Sequence, residues 1–121
     1  MQTALICLAL NIYFEARGEP IDGQLLVAET TINRAADRHQ SICEAVWDDD
    51  QFSWTNDGLS DTPRDDTAYA LATQLAAEAL AGDHLHSGVD HYHEASIHPA
   101  WANDLQRLGR YGNHIFYRSE S

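Results

Sequence analysis

Residues 4–14, ALICLALNIYF, are apolar on nearly every side and run straight into Glu15-Ala16-Arg17-Gly18-Glu19-Pro20. Leu5, Leu8, Ala9 and Ile12 have the spacing of one helical face, and Ile6, Leu10, Tyr13 and Phe14 cover most of the rest. A helix apolar nearly all round belongs at the centre of a fold. It must stop near Gly18, because Pro20 disfavours helical geometry at Glu19. Ala4 to Leu10 also has the look of a short secretory core. No Lys or Arg precedes it, Asn11, Glu15 and Arg17 follow at once, and no A-x-A cleavage site appears. The reading is a buried helix, with no visible export signal.

The rest of the chain supplies partners for that helix. A second helix is expected from about Ile21 to Asp37, with Leu25, Ala28, Ile32 and Ala35 as its inner stripe. A short helical piece follows at Ile42 to Trp47, then a loop from Trp47 to Trp54. Thr62 is a candidate N-cap and Pro63 suits the first helical position; Asp65 and Asp66 favour the positive end of the helix dipole. That helix carries Ala68, Leu71, Leu75 and Ala79 inward and stops at Gly82. Val89 to Ala95 and Ile115 to Tyr117 have strand-like content, with Tyr111-Gly112-Asn113 as a turn before the last strand. The expected class is α+β, mainly helical with a small late antiparallel β element. The 121 residues, free of repeats and linkers, fit a single domain over 1–121.

Charge narrows the partners. Asp plus Glu is 19 against 7 Lys plus Arg, a net charge of −12, and every one of those cations is an arginine. A broad basic surface for nucleic acid or an anionic membrane is excluded. No apolar run approaches the roughly 20 residues that span a bilayer. The two cysteines, Cys7 and Cys43, are too few for a disulfide framework, and each sits in an apolar stretch. They read as buried free thiols.

Glu15 is the leading candidate for chemistry. It sits where a buried helix turns out to the surface. Partial desolvation there raises a carboxyl pKa, which suits a general acid that protonates a leaving oxygen near neutral pH. The alternative is an ion pair with Arg17 or another arginine at the helix end. Glu19 is the nearest second acid; Gly18 and Pro20 interrupt the helix that would align it with Glu15. Holding the turn, through backbone amides or an arginine, is its expected role. The run Asp48-Asp49-Asp50 reads as solvated loop. Gln51, Ser53 and Trp54 offer amide, hydroxyl and aromatic groups suited to sugar rings, with Phe52 expected in the core. Tyr92, His93, Trp101, His114 and Tyr117 are further groove or core candidates. Five of the seven histidines fall between His84 and His98. His84-x-His86 and His91-x-His93 would each share a strand face, which raises zinc, but no HExxH or CxxC accompanies them.

Several stretches in order resemble the SleB/CwlJ family of cell-wall hydrolases, known from spore-cortex lysis and found in bacteria and phages. They are Ala9 to Pro20, Gly23-Gln24, Asn33-Arg34, Ile42 to Val46, Gln51 to Trp54, His91 to His93, Pro99 to Ala102 and Gly112 to Tyr117. The resemblance implies a lysozyme-like fold and cleavage of peptidoglycan between N-acetylmuramic acid and N-acetylglucosamine. Members that are lytic transglycosylases use the first Glu of the EARGE segment, here Glu15, without a metal or other cofactor. Gln51, Ser53, Trp54, Tyr92, His93, His114 and Tyr117 are the substrate-binding expectations, with Glu19 as second acid or structural residue. Rival readings are a two-carboxylate muramidase, a zinc peptidase or amidase on the peptide stems, and a non-catalytic glycan-binding module. The expected setting is a phage endolysin: a monomer made in the host cytoplasm without a signal peptide. It would reach the wall once the membrane is opened, with no nucleic-acid partner and no membrane insertion.

Overall fold

The computed structural model describes residues 2–48 and 51–119. Helix α1 spans Ala4–Ala16 and is the central element. The Thr3 side chain caps it by accepting from the Ile6 amide at 3.2 Å. Cys7 through Tyr13 are buried without interruption, as an all-round apolar helix requires. Gly18, at φ +84°, takes the left-handed turn that ends the helix.

Helix α2 spans Ile21–Asp37, with Pro20 at its N-cap. Its burial differs from the expected stripe. Leu26, Val27, Ala28, Thr30, Thr31 and Ala35 are buried, while Leu25 and Ile32 are only partly so. The reason is that α2 is covered on two sides, by α1 and α4 and by the first strand. Its buried polar groups are paired. Thr30 and Thr31 hydroxyls donate to the carbonyls of Leu26 and Val27 at 2.8 Å. Asn11 Nδ2 donates to Thr31 Oγ1 at 2.9 Å, and Trp54 Nε1 donates to Asn11 Oδ1 at 2.8 Å. This polar thread fixes α1, α2 and the loop at Trp54 relative to one another.

Helix α3 spans Ile42–Trp47 and opens with a capping box between Ser41 and Glu44. It brings Cys43 to Cys7 with a Cα–Cα distance of 5.3 Å, and the two form a disulfide. The free-thiol expectation is therefore wrong. Apolar surroundings said only that the thiols would be buried; packing α3 on α1 is what brings them together. Helix α4 spans Asp66–Leu80. It begins later than the expected cap at Thr62, because Asp65 caps it by accepting from Ala68 N at 3.0 Å. The Arg64 and Asp65 amides donate instead to the Tyr13 hydroxyl, at 3.1 and 3.0 Å.

Three antiparallel strands follow: β1 Val89–Glu94, β2 Gln106–Tyr111 and β3 His114–Arg118, in the order β1-β3-β2. The α+β expectation holds. Strand β2 was not expected; its sequence, QRLGRY, has little strand content. Phe116 and Val89 pack inward on Leu26 and Val27 of α2 and Ala16 of α1. Short 3₁₀ turns at Ser53–Asn56 and Ala100–Asp104 flank the cleft described next. No helix among the described residues is long and apolar enough to cross a membrane.

Candidate active site

Three elements converge on Glu15. The last turn of α1 carries the carboxyl, α2 supplies Arg34, and β1 supplies Tyr92. The Tyr92 hydroxyl donates to Glu15 Oε1, which leaves the second carboxyl oxygen for another partner. Burial raises the Glu15 pKa; the Tyr92 bond and the charge of Arg34 oppose the rise without cancelling it. Tyr92 is itself pushed well above its usual range, by burial and then by the neighbouring carboxylate, so its phenol stays protonated and donates. Arg17 is not the partner of Glu15. Its guanidinium donates to the Tyr13 hydroxyl.

Two depressions meet at this carboxyl. The larger, about 650 Å³, is lined by Arg34, Asp37, Arg38, Gln51, Phe52, Asp90, His91, Trp101 and Ser119. The second, about 470 Å³, is lined by Phe14, Trp54, Asp57, His93, Glu94, Ile97 and His114. Glu15, Ser53 and Tyr92 line both. The acid thus stands at the saddle of a two-sided groove, the arrangement needed to act on a bond inside a linear chain.

On the larger side, Arg34 Nε donates to the Asp90 carbonyl at 2.7 Å and Nη1 to Gln51 Oε1 at 3.3 Å. That bond fixes which way the Gln51 amide points, and its Nε2 is left buried with no partner among the described residues. An unpaired buried donor is costly, so a substrate acceptor that meets it gains correspondingly. Asp90 Oδ1 lies 2.9 Å from both His91 Nδ1 and the Ser119 amide. Burial pushes Asp90 up, but these bonds outweigh it and hold the carboxyl below its usual value.

Not every expected site residue reaches the groove. Gln51, Ser53, Trp54, Tyr92, His93 and His114 do. Phe52 sits in the core at 3% exposed, as expected, although it also borders the larger depression; Trp54 lines the second depression with only 5% of its surface exposed. Trp54 is stacked on Phe14, and its indole N–H is spent on Asn11. Tyr117 lines neither depression. Its hydroxyl meets His93 Nε2 at 2.8 Å, and its ring packs edge-to-face with Trp101.

Glu19 also lies outside both depressions. Its Oε1 accepts from the Asn113 amide at 2.9 Å, and it sits 3.3 Å from His114 Nδ1. Burial lowers the His114 pKa more than Glu19 and Glu94 restore it, so the imidazole is neutral. Of the Asp48-Asp49-Asp50 run, Asp49 and Asp50 lie outside the described residues; Asp48 Oδ2 accepts from Gln40 Nε2 at 3.3 Å.

The histidine cluster is dispersed. His84 and His86 stand in turns ahead of β1, not on a strand, and His86 Nε2 meets the Tyr111 hydroxyl at 2.8 Å. Among the described residues no group of three or more His, Cys, Asp or Glu is placed to hold a metal ion. Sequence reasoning missed Arg34, Asp90 and His91 as groove residues. The available signal was the Asn33-Arg34 pair: a cation on the inner half of a buried helix needs a compensating neighbourhood.

Residues 18–117 match the Cell Wall Hydrolase family, and the chain belongs to that family. The matched stretch begins just after Glu15. The fold is similar to the catalytic domain of the germination-specific lytic transglycosylase SleB from Bacillus anthracis. The two align with a TM-score of 0.79 and 23% identity over 98% of this chain and 96% of that one. It is also similar to the catalytic domain of the Bacillus cereus SleB protein, with TM-score 0.76 and 24% identity over 97% and 91% of the two chains. No curated protein matches the sequence.

Proposed function

We propose that this protein is a lytic transglycosylase that cuts the glycan strand of peptidoglycan between N-acetylmuramic acid and N-acetylglucosamine. The observation that carries the reading is the single carboxyl at the saddle, raised in pKa by burial and held through one oxygen by Tyr92. In its protonated form, which burial favours, Glu15 gives its proton to the glycosidic oxygen as the C1–O bond breaks. The resulting carboxylate, stabilised by the Tyr92 hydroxyl and the positive charge of Arg34, takes the proton of the muramic C6 hydroxyl as that oxygen bonds to C1. The products are a 1,6-anhydro end and a free 4-hydroxyl, and no water is consumed. Gln51 and Ser53 on one side, with His93 and His114 on the other, bind the flanking sugars. Family membership and the likeness to SleB catalytic domains support the same chemistry.

A second reading rests on Asp90. It lines the larger depression with its pKa lowered while that of Glu15 is raised, the separation expected of a base and an acid. A hydrolytic muramidase would use it to activate water. Its Oδ1 is already engaged by His91 and the Ser119 amide, which favours a structural role in the strand. Mass spectrometry of soluble fragments from purified peptidoglycan separates the two. Fragments one water lighter than hydrolysis products, absent with Glu15→Gln, are expected. Reducing ends that have gained water, lost with Asp90→Asn, would install the muramidase instead.

The place of action is the wall, as a monomer, reached after the membrane is opened. The disulfide supports action outside the reducing cytoplasm.

A further inference from the structure

The sheet has an outward face that begins at the groove and runs on beyond it to residues the groove chemistry does not use. On β3, Phe116 points in toward the helices, so Ile115 and Tyr117 point out. His91 and Arg107 oppose Tyr117, while His93 and Arg110 oppose Ile115. Two arginines three apart on a regular strand face opposite sides. Here the register shifts between Arg107 and Gly109, so Leu108 is an extra residue and both arginines come to the outward face. The result is two cross-strand rows, His91–Tyr117–Arg107 and His93–Ile115–Arg110. At roughly 4.8 Å per strand, the rows run about 10 Å from the groove edge to the far strand.

Trp101 packs edge-on against the near end, where His93 and Tyr117 are buried. Its ring lies 5.0 Å from His91, 5.6 Å from His93 and 5.3 Å from Tyr117. Trp101 and His91 also line the larger depression, so the face continues directly from the groove. At the far end Arg107 and Arg110 are exposed. Neither has a carboxylate within ion-pairing distance among the described residues. Glu94 shares a shallow depression with Arg110 without pairing to it. Arg110 spends one N–H on the Gly112 carbonyl at 2.9 Å. In a chain with 19 acids and 7 arginines, two neighbouring arginines on one face with no carboxylate partner among the described residues leave a local positive patch open to an anion from outside.

We propose that this face binds the peptide stem of the substrate, with Arg107 and Arg110 pairing with stem carboxylates and Trp101 covering the stem's path. This rests on reading the groove as a glycan-strand site. A stem leaves the muramic lactyl group beside the groove. Four extended residues reach about 13 Å, enough to cross from β1 to β2.

The test has a binding arm and a turnover arm. In the first, a soluble stem tetrapeptide is titrated into the protein and followed by NMR. The Trp101 indole and Arg107 signals shift, and the double variant R107A/R110A weakens binding by about fivefold, the scale of two exposed ion pairs. In the second, stem-bearing glycan fragments are compared with strands stripped of stems by an amidase. The double variant raises KM by the same factor on stem-bearing material and leaves stripped strands unchanged. The single R107A, which touches no turn contact, moves in the same direction. No shift with the tetrapeptide, or equal effects on both substrates, overturns the proposal. Cleavage without stem binding removes this inference and leaves the proposed function standing. Stem binding at this face without glycan cleavage does the reverse.

Discussion

At the scale of single residues, the geometry makes Glu15 depend on two neighbours that pull its pKa down against burial. Removing one lets burial act further. Tyr92→Phe deletes a bond that lowers the Glu15 pKa, so the variant's pKa lies higher still. With Glu15 as the proposed proton donor, the protonated form persists to higher pH, and the falling alkaline limb of kcat moves up. The rate itself drops by about ten- to a hundredfold, because the carboxyl loses its fixed orientation. A pH–rate profile of both proteins checks the sign; a limb that moves to lower pH would remove Tyr92 from this role. Glu15→Gln lowers activity by about 10²- to 10⁴-fold, and it also bears on stability. A carboxyl whose folded pKa is raised destabilises the fold as pH rises through the unfolded and then the folded value. The amide, able to accept the same Tyr92 bond, removes that cost. Thermal melts are expected to show Glu15→Gln more stable than wild type at neutral pH, with the gap closing below the unfolded pKa. The place of Glu15 at the end of a buried helix was legible in the sequence because a helix end is a local feature. Arg34 was not, because its role arises from Asp90, Gln51 and Glu15, which lie far apart in the chain.

Among the elements, legibility followed local signals. The bounds of α2 and α3 are written in Pro20, Ser41 and Glu44, and the structure keeps them. The start of α4 is displaced because Tyr13, on another helix, captures the amides that Thr62 and Pro63 would have led into a first turn. Strand β2 is held by pairing with β3 and by the bulge at Leu108, neither of which its own residues announce. The Cys7–Cys43 bridge likewise depends on the packing of α3 on α1. It closes a loop with a sequence separation of 36 residues, so reduction costs about 4 kcal/mol on the loop-entropy account. Urea denaturation with and without reductant measures that loss. A second element-level test concerns the turn between β2 and β3. Gly112 has φ +62°, and a Cβ there would stand 2.6 Å from Pro20 Cδ and 2.9 Å from Glu19 Oε2. Gly112→Ala is expected to destabilise by about 1–2 kcal/mol from backbone conformation alone. It should also loosen Glu19 from Asn113, seen as faster hydrogen exchange at the Asn113 amide.

For the molecule as a whole, the net charge of −12 opposes approach to an anionic wall, while the proposed arginine pair on the sheet attracts one part of it at short range. Salt screens both, but not equally. The net repulsion acts over the whole surface and beyond, where a Debye length of about 8 Å at 0.15 M already cuts it off. A carboxylate in contact with Arg107 is screened less, because little solvent lies between the charges. Added salt therefore raises activity on intact wall between low and physiological ionic strength. In R107A/R110A only the repulsion remains, so its activity starts lower and rises more steeply over the same range. The comparison is a pair of salt titrations on suspended peptidoglycan. A steady fall from the lowest salt in the wild type would mean that attraction to the wall dominates, and that the acidic surface does not govern encounter.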